Sequence, residues 1–239
     1  MAKKREFGEG PIFTITNYIM WFFGGNIYFM LCNIPFLFIL LSYNGEVTAE
    51  YLVLLMLFSL PIGPAYTALL SVMGKLIREK DVNLTKDYFK AYKTNFLQSL
   101  FIWSMQVIVM SILVIDIRFF ALKASGKYMI PIFYTFMMLD VVLGIYIYPI
   151  ISRFYLKSLD IIKLSFYYLI KKLRVTLSSV GVFILAYLAL NTKFVGTAFL
   201  FIVAIIAYGI MFFQNDMLKE LQLKLNPESL EDERQPVEE

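Results

Sequence analysis

Residues 96–115 read FLQSLFIWSMQVIVMSILVI, a run of apolar and small polar side chains with no charge in it. A helix rises about 1.5 Å per residue, so such a run covers the roughly 30 Å of a bilayer's hydrocarbon core. Its apolar character is unbroken rather than alternating, which favours a helix over a barrel strand. In lipid the backbone must satisfy its own hydrogen bonds, and a helix does so. Five further runs of the same kind lie on either side, at about 21–41, 51–73, 129–151, 173–191 and 195–213. The fifth in chain order, 173–191, is the least apolar. These runs predict an all-α fold: a polytopic membrane helix bundle with about six transmembrane helices. The expected organisation is an N-terminal or interfacial segment (1–20), a transmembrane domain (21–214) and an acidic, disordered tail (215–239).

Composition agrees. Of 239 residues, 59% are hydrophobic and 17% charged, against about 45–50% and 25% in a soluble domain. The surplus apolar surface needs lipid around it. There is no histidine, which removes the commonest proton shuttle and metal ligand. Cys32, the one cysteine, lies in an apolar run and reads as a small buried hydrophobe. No phosphate-binding glycine loop, nucleophile set or metal spacing occurs. The reading is therefore a non-enzymatic protein with no cofactor and no metal.

The net charge of +4 does not point to nucleic acid, because the basic residues sit between apolar spans. Of 22 Lys and Arg, all but Arg118, Lys123, Lys127 and Lys193 fall in the N-terminal segment, the second loop, the fourth loop and the tail. The positive-inside rule puts those four regions, and so both termini, in the cytoplasm of a cell membrane. Lys3, Lys4 and Arg5 resemble the start of a signal peptide. Gly8 to Pro11 separate them from the apolar run, however, and no small-residue cleavage site follows. Residues 12–18 suggest a short interfacial helix instead.

Two cytoplasmic amphipathic helices are expected. In the second loop, Thr85 is a candidate cap and Asp87 suits the positive end of a helix. Tyr88, Phe89, Tyr92 and Phe96 then share one face, opposite Lys86, Lys90 and Lys93. In the fourth loop Leu159, Ile162, Phe166 and Leu169 form a stripe ahead of Lys171, Lys172 and Arg174. Phe89, Lys93, Asn95 and Ser99 match Tyr168, Lys172, Arg174 and Ser178 in spacing, and Pro64 and Pro149 hold comparable places, which suggests a parallel repeat. The surface helices serve either to anchor the fold in membrane lipid or to dock a partner protein.

Within the spans, LPIGPAYTALL (60–70) carries Pro61 and Pro64, which should break the helix. Gly63, Ala65 and Ala68 there would let another helix approach closely. Asp140 lies about 16 Å into the fourth span by helical rise, where a carboxylate is costly unless paired or neutralised. Arg118 or Asp116 could reach its neighbourhood. Asn26, Asn33 and Gln106 read as polar links between helices.

The succession LCNIPF (31–36), LPIGPAYTALL and DYFKAYKTNFLQSL (87–100) resembles the YesL family of small bacterial membrane proteins. That family has an Asn-x-Pro-like first span, a Gly-Pro-Ala second span and an aromatic, Lys- and Asn-bearing surface helix before the third. Gly63, Pro64, Ala65, Asp87, Phe89, Lys93, Asn95 and Phe96 match it. Pro61 stands where the family usually has Thr, and Asp140 has no place in the pattern. The resemblance implies an accessory role in Gram-positive bacteria: a membrane subunit that binds the permease, and possibly the ATPase, of a carbohydrate ABC importer. Tyr88 and Tyr92 join the matched residues as partner-binding candidates. The alternative is a stand-alone transporter or channel built on Asp140 and the Pro61/Pro64 break. A membrane enzyme ranks below both.

Overall fold

The computed structural model describes residues 11–43, 48–123, 126, 128–191 and 195–225. Ten helices occur among them: α1 (Pro11–Cys32), α2 (Ile34–Leu41), α3 (Ala49–Phe58), α4 (Ile62–Glu79), α5 (Leu84–Ala121), α6 (Ile130–Arg153), α7 (Ser158–Lys171), α8 (Leu173–Leu190), α9 (Val195–Phe199) and α10 (Ile202–Leu225). Five segments are long and apolar enough to cross a membrane: Glu50–Glu79, which joins α3 to α4, then α5, α6, α8 and α10. The bent pair α1–α2 makes a sixth if it counts as one span. The protein is an all-helical, multi-pass membrane protein.

α4 is the hub and packs against α1, α5, α6 and α10. Ala65, Ala68, Leu69, Leu70, Met73 and Leu76 on it are fully buried. Small residues at 63, 65 and 68 bring the neighbouring helices close, as the sequence suggested. By contrast the outer parts of α5 and α6 leave Phe101, Met105, Ile108, Ile112, Phe136 and Met138 uncovered by protein, as lipid-facing surfaces require.

Several expected boundaries move, each for a local reason. The run 21–41 is not one straight helix, for α1 and α2 meet at 77°. Pro35 opens α2 and has no N–H for the preceding turn. The backbone N–H of Asn33 shifts to Met30 O (2.9 Å), and its side-chain amide takes over Phe29 O (2.7 Å). Asn33 therefore mends its own bend rather than linking two helices. No separate interfacial helix occupies 12–18; those residues belong to α1, and residues 1–10 lie outside the described part.

The segment around Tyr88 is not a detached surface helix either. It is the first third of α5, a single helix of 38 residues, or about 57 Å. Its cap is Asn83, whose side chain accepts from Lys86 N at 3.3 Å. Thr85 instead meets the Tyr28 hydroxyl at 2.6 Å. The run 195–213 is split between α9 and α10 at Leu200–Phe201. α10 then continues to Leu225 with Met217, Leu218 and Leu221 buried. Residues 215–225 are thus helix, with buried residues as far as Leu221, and not tail; 226–239 lie outside the described residues.

α7 is a separate amphipathic helix, as expected. Its protein-facing side is Ile161, Ser165 and Tyr168, while Leu159 and Phe166 of the expected stripe are exposed. The stripe is divided: Ile162 and Leu169 are partly covered, with Leu169 packed against the core, and Leu159 and Phe166 are left for the membrane surface. The repeat fails in register, since Asn95 and Ser99 are buried where Arg174 is exposed and Ser178 only partly covered. Further, α5 is continuous where α7 and α8 part at Lys172.

Candidate functional site

The motif residues sit together, and most of them face inward. Pro61 is the N-cap of α4 and Pro64 lies in its first turn, where a missing N–H costs nothing. The prolines therefore start a helix instead of kinking one. A Cβ on Gly63 would stand 2.8 Å from Ser99 O and 2.5 Å from Trp103 Cβ, so only glycine permits this α4–α5 approach. The buried Tyr88 hydroxyl donates to Ala65 O at 3.2 Å. Asp87 accepts from Lys75 at 2.9 Å and from Asn83 N at 3.0 Å, pinning the α4–α5 turn. Asn95 is buried; Tyr92 and Phe96 are partly covered and in ring contact at 5.4 Å. Of the ten partner-binding candidates, Phe89 and Lys93 are the exposed ones. The motif is chiefly the seam between two spans.

Amides repair the other helix breaks. Asn26 Nδ2 donates to Phe199 O (3.1 Å), and Asn26 Oδ1 accepts from Val203 N (3.1 Å). One side chain thus satisfies both groups freed by the α9–α10 interruption, as lipid demands. Pro149 in α6 cannot donate to Ile145 O, four residues back. Gln214 of α10 supplies that bond at 2.8 Å. The sequence reading missed Gln214. The available signal was an amide in an apolar run together with a proline that orphans a carbonyl elsewhere.

Asp140 lies ten residues into α6, close to the middle of the span, and lines a cavity of about 870 Å³. The cavity is lined by residues of α2 to α6, with Phe183 from α8. Phe36, Leu52, Met56, Val107 and Met110 give it apolar walls. Its polar floor is a relay: Gln106 Nε2 donates to Asp140 O at 3.0 Å, and the Tyr148 hydroxyl donates to Gln106 Oε1. Gln106 therefore links α5 to α6. Arg118 lines the same cavity, as does Ser59 at the α3–α4 break. Trp103 Nε1 donates to Ser59 Oγ at 3.4 Å. The structure thus brings Asp140, Arg118 and the helix break into one cavity. Tyr66, Trp103 and Tyr148, which the sequence did not single out, complete it.

At the Lys- and Arg-rich end, Glu220 of α10 meets Lys172 (2.8 Å), Lys224 (2.9 Å) and Lys171 (3.7 Å). The Tyr146 hydroxyl pairs with Thr176 Oγ1 at 2.7 Å beside the α7–α8 break. On α7 the Lys171 ammonium donates to the Tyr167 hydroxyl at 2.8 Å and holds that phenol below its usual range. The Glu220 pairs fasten the α7–α8 junction to α10, although exposed ion pairs of this kind contribute little each.

No curated protein and no solved structure matches the chain. Residues 13–117 match a family described as "Protein of unknown function, DUF624", a stretch running from α1 to the last turns of α5. The chain is similar to that family through the part that builds the α4–α5 seam.

Proposed function

We propose that the chain is a YesL-like accessory subunit of a bacterial cell membrane, with both termini cytoplasmic. It binds the permease subunits of a carbohydrate ABC importer and performs no chemistry of its own. The observation that carries this reading is the 870 Å³ cavity between α2 and α6. Its walls are apolar and it lies among the spanning helices, so it suits side chains of a partner's transmembrane helix. The exposed Phe89 and Lys93, on the outer face of the same turns of α5 that form the seam, offer a second contact toward the ATPase side. The motif resemblance supplies the identity of the partner. Purification from native membranes in mild detergent should bring permease subunits along, and a deletion strain should take up the matching sugar poorly. A lone protein and normal uptake would sink the proposal.

A second reading, a stand-alone transporter or channel, is favoured by one specific observation. Asp140 and Ser59, at the α3–α4 break, line the same cavity, an arrangement reminiscent of broken-helix solute sites. Proteoliposomes holding this protein alone should then show solute flux that Asp140→Asn abolishes. Tight vesicles with no flux would dismiss it.

A further inference from the structure

A second cavity, of about 630 Å³, lies at the Lys- and Arg-rich end where α4, α6 and α10 converge. The last turns of α4 and α6 each carry one arginine into it, Arg78 and Arg153, with Phe154, Leu156, Gln222 and Leu225 around them. Arg153 Nη2 donates to Gln222 Oε1 at 2.7 Å. Its Nη1 is buried and has no hydrogen-bond partner. The two guanidiniums are near enough to repel each other.

Among the described residues no ion pair includes either arginine. Asp87 is held by Lys75, and Glu220 by Lys172 and Lys224. Glu79, next to Arg78 and within range of its charge, lies 3.7 Å from Lys75. An arginine in the last turn of a helix suits the dipole, and that accounts for each one singly. It does not account for both of them lining one cavity, nor for Arg153, half-buried, keeping a buried and unused donor beside the exposed Arg78.

We infer that this cavity binds a phosphate group, with Arg78 and Arg153 as its donors. Guanidinium donors match phosphate oxygens in a fork geometry, and an anion between the two removes their repulsion. The half-apolar lining and the position where spans leave the bilayer suit the headgroup of an anionic phospholipid, which basic pockets between transmembrane helices bind. A free phosphate would use the same donors.

The test uses the full chain in two arms. In nanodiscs containing phosphatidylglycerol, native mass spectrometry should find the lipid retained by the protein and by Lys163→Gln, an exposed change on α7. The double variant R78Q/R153Q should lose it. In lipid-free detergent, millimolar inorganic phosphate should raise the melting temperature of the unchanged protein but not of the double variant if the natural ligand is soluble. Either pattern supports the site and tells the sources apart. If the double variant fails to fold, Arg78→Gln alone should weaken retention about tenfold, the effect of one charge-assisted bond. Lipid and phosphate behaviour that is the same with and without the arginines, or no binding in either arm, overturns the proposal.

Discussion

Gln214 illustrates how a single buried amide holds a membrane span together. It answers a carbonyl that Pro149 leaves without a donor, across a helix interface and inside the core. Replacing it with leucine should therefore lower stability in detergent by about 1 kcal/mol, the scale of interhelical hydrogen bonds in membranes. The cost depends on the proline. In a Pro149→Ala background the backbone N–H at 149 returns and can bond Ile145 O itself, so Gln214→Leu should then cost clearly less. Thermal melts of the four proteins form a double-mutant cycle. A Gln214→Leu penalty that is the same in both backgrounds would refute the pairing. Asn26 works in the same way at the α9–α10 break, with two bonds in place of one.

Among the elements, α5 departs furthest from its sequence reading. The charged, aromatic segment before the third span has the composition of a surface helix, and lying flat on the membrane was the natural expectation. What keeps it in line is its partner. Tyr88, Ala91, Asn95 and Ser99 form one buried stripe at helical spacing, continuous with the stripe that packs on α4. Bending at Phe96 would forfeit that contact and break a helix that has no proline. Spin labels at positions 86 and 119 should thus give a single narrow distance near 50 Å, from 33 residues of helical rise. A clearly shorter or broad distribution, measured by pulsed electron resonance in nanodiscs, would restore the flat surface helix. α7 shows the contrasting case. The chain is extended at Phe154 ahead of it and departs from helix at Lys172 after it, and its Leu159 and Phe166 are uncovered, so it lies as an amphipathic element of its own.

For the molecule as a whole, orientation rests on charge. The Lys- and Arg-rich loops gather at the end that holds Glu220 and the two-arginine cavity, and Lys123 lies at the far end of α5. In a background with Cys32 replaced by alanine, a cysteine at position 123 should react with an impermeant maleimide in intact cells. A cysteine at position 90 should react only after permeabilisation. The reverse pattern would invert the topology and remove the ATPase side from the proposed partner contacts.

Membrane residence, helical class and the approximate spans were legible in the amino-acid string. Crossing a bilayer is a property of some twenty consecutive side chains, and the positive-inside rule depends on loop composition alone. The packing role of Gly63 and Ala65 was legible too, because small residues among large ones imply close approach. The bend at Asn33, the split of the last span, the continuity of α5 and the two cavities were not. Each depends on whether a freed backbone group or a charged side chain finds its partner, and in the case of Gln214 that partner lies 69 residues away in the chain. Local sequence states that a carbonyl has lost its donor; only the packed bundle brings another donor to it. Asp140 was conspicuous in the sequence as a carboxylate within a span, but its setting in a cavity with Gln106, Arg118 and Tyr148 exists only once α5 and α6 are side by side.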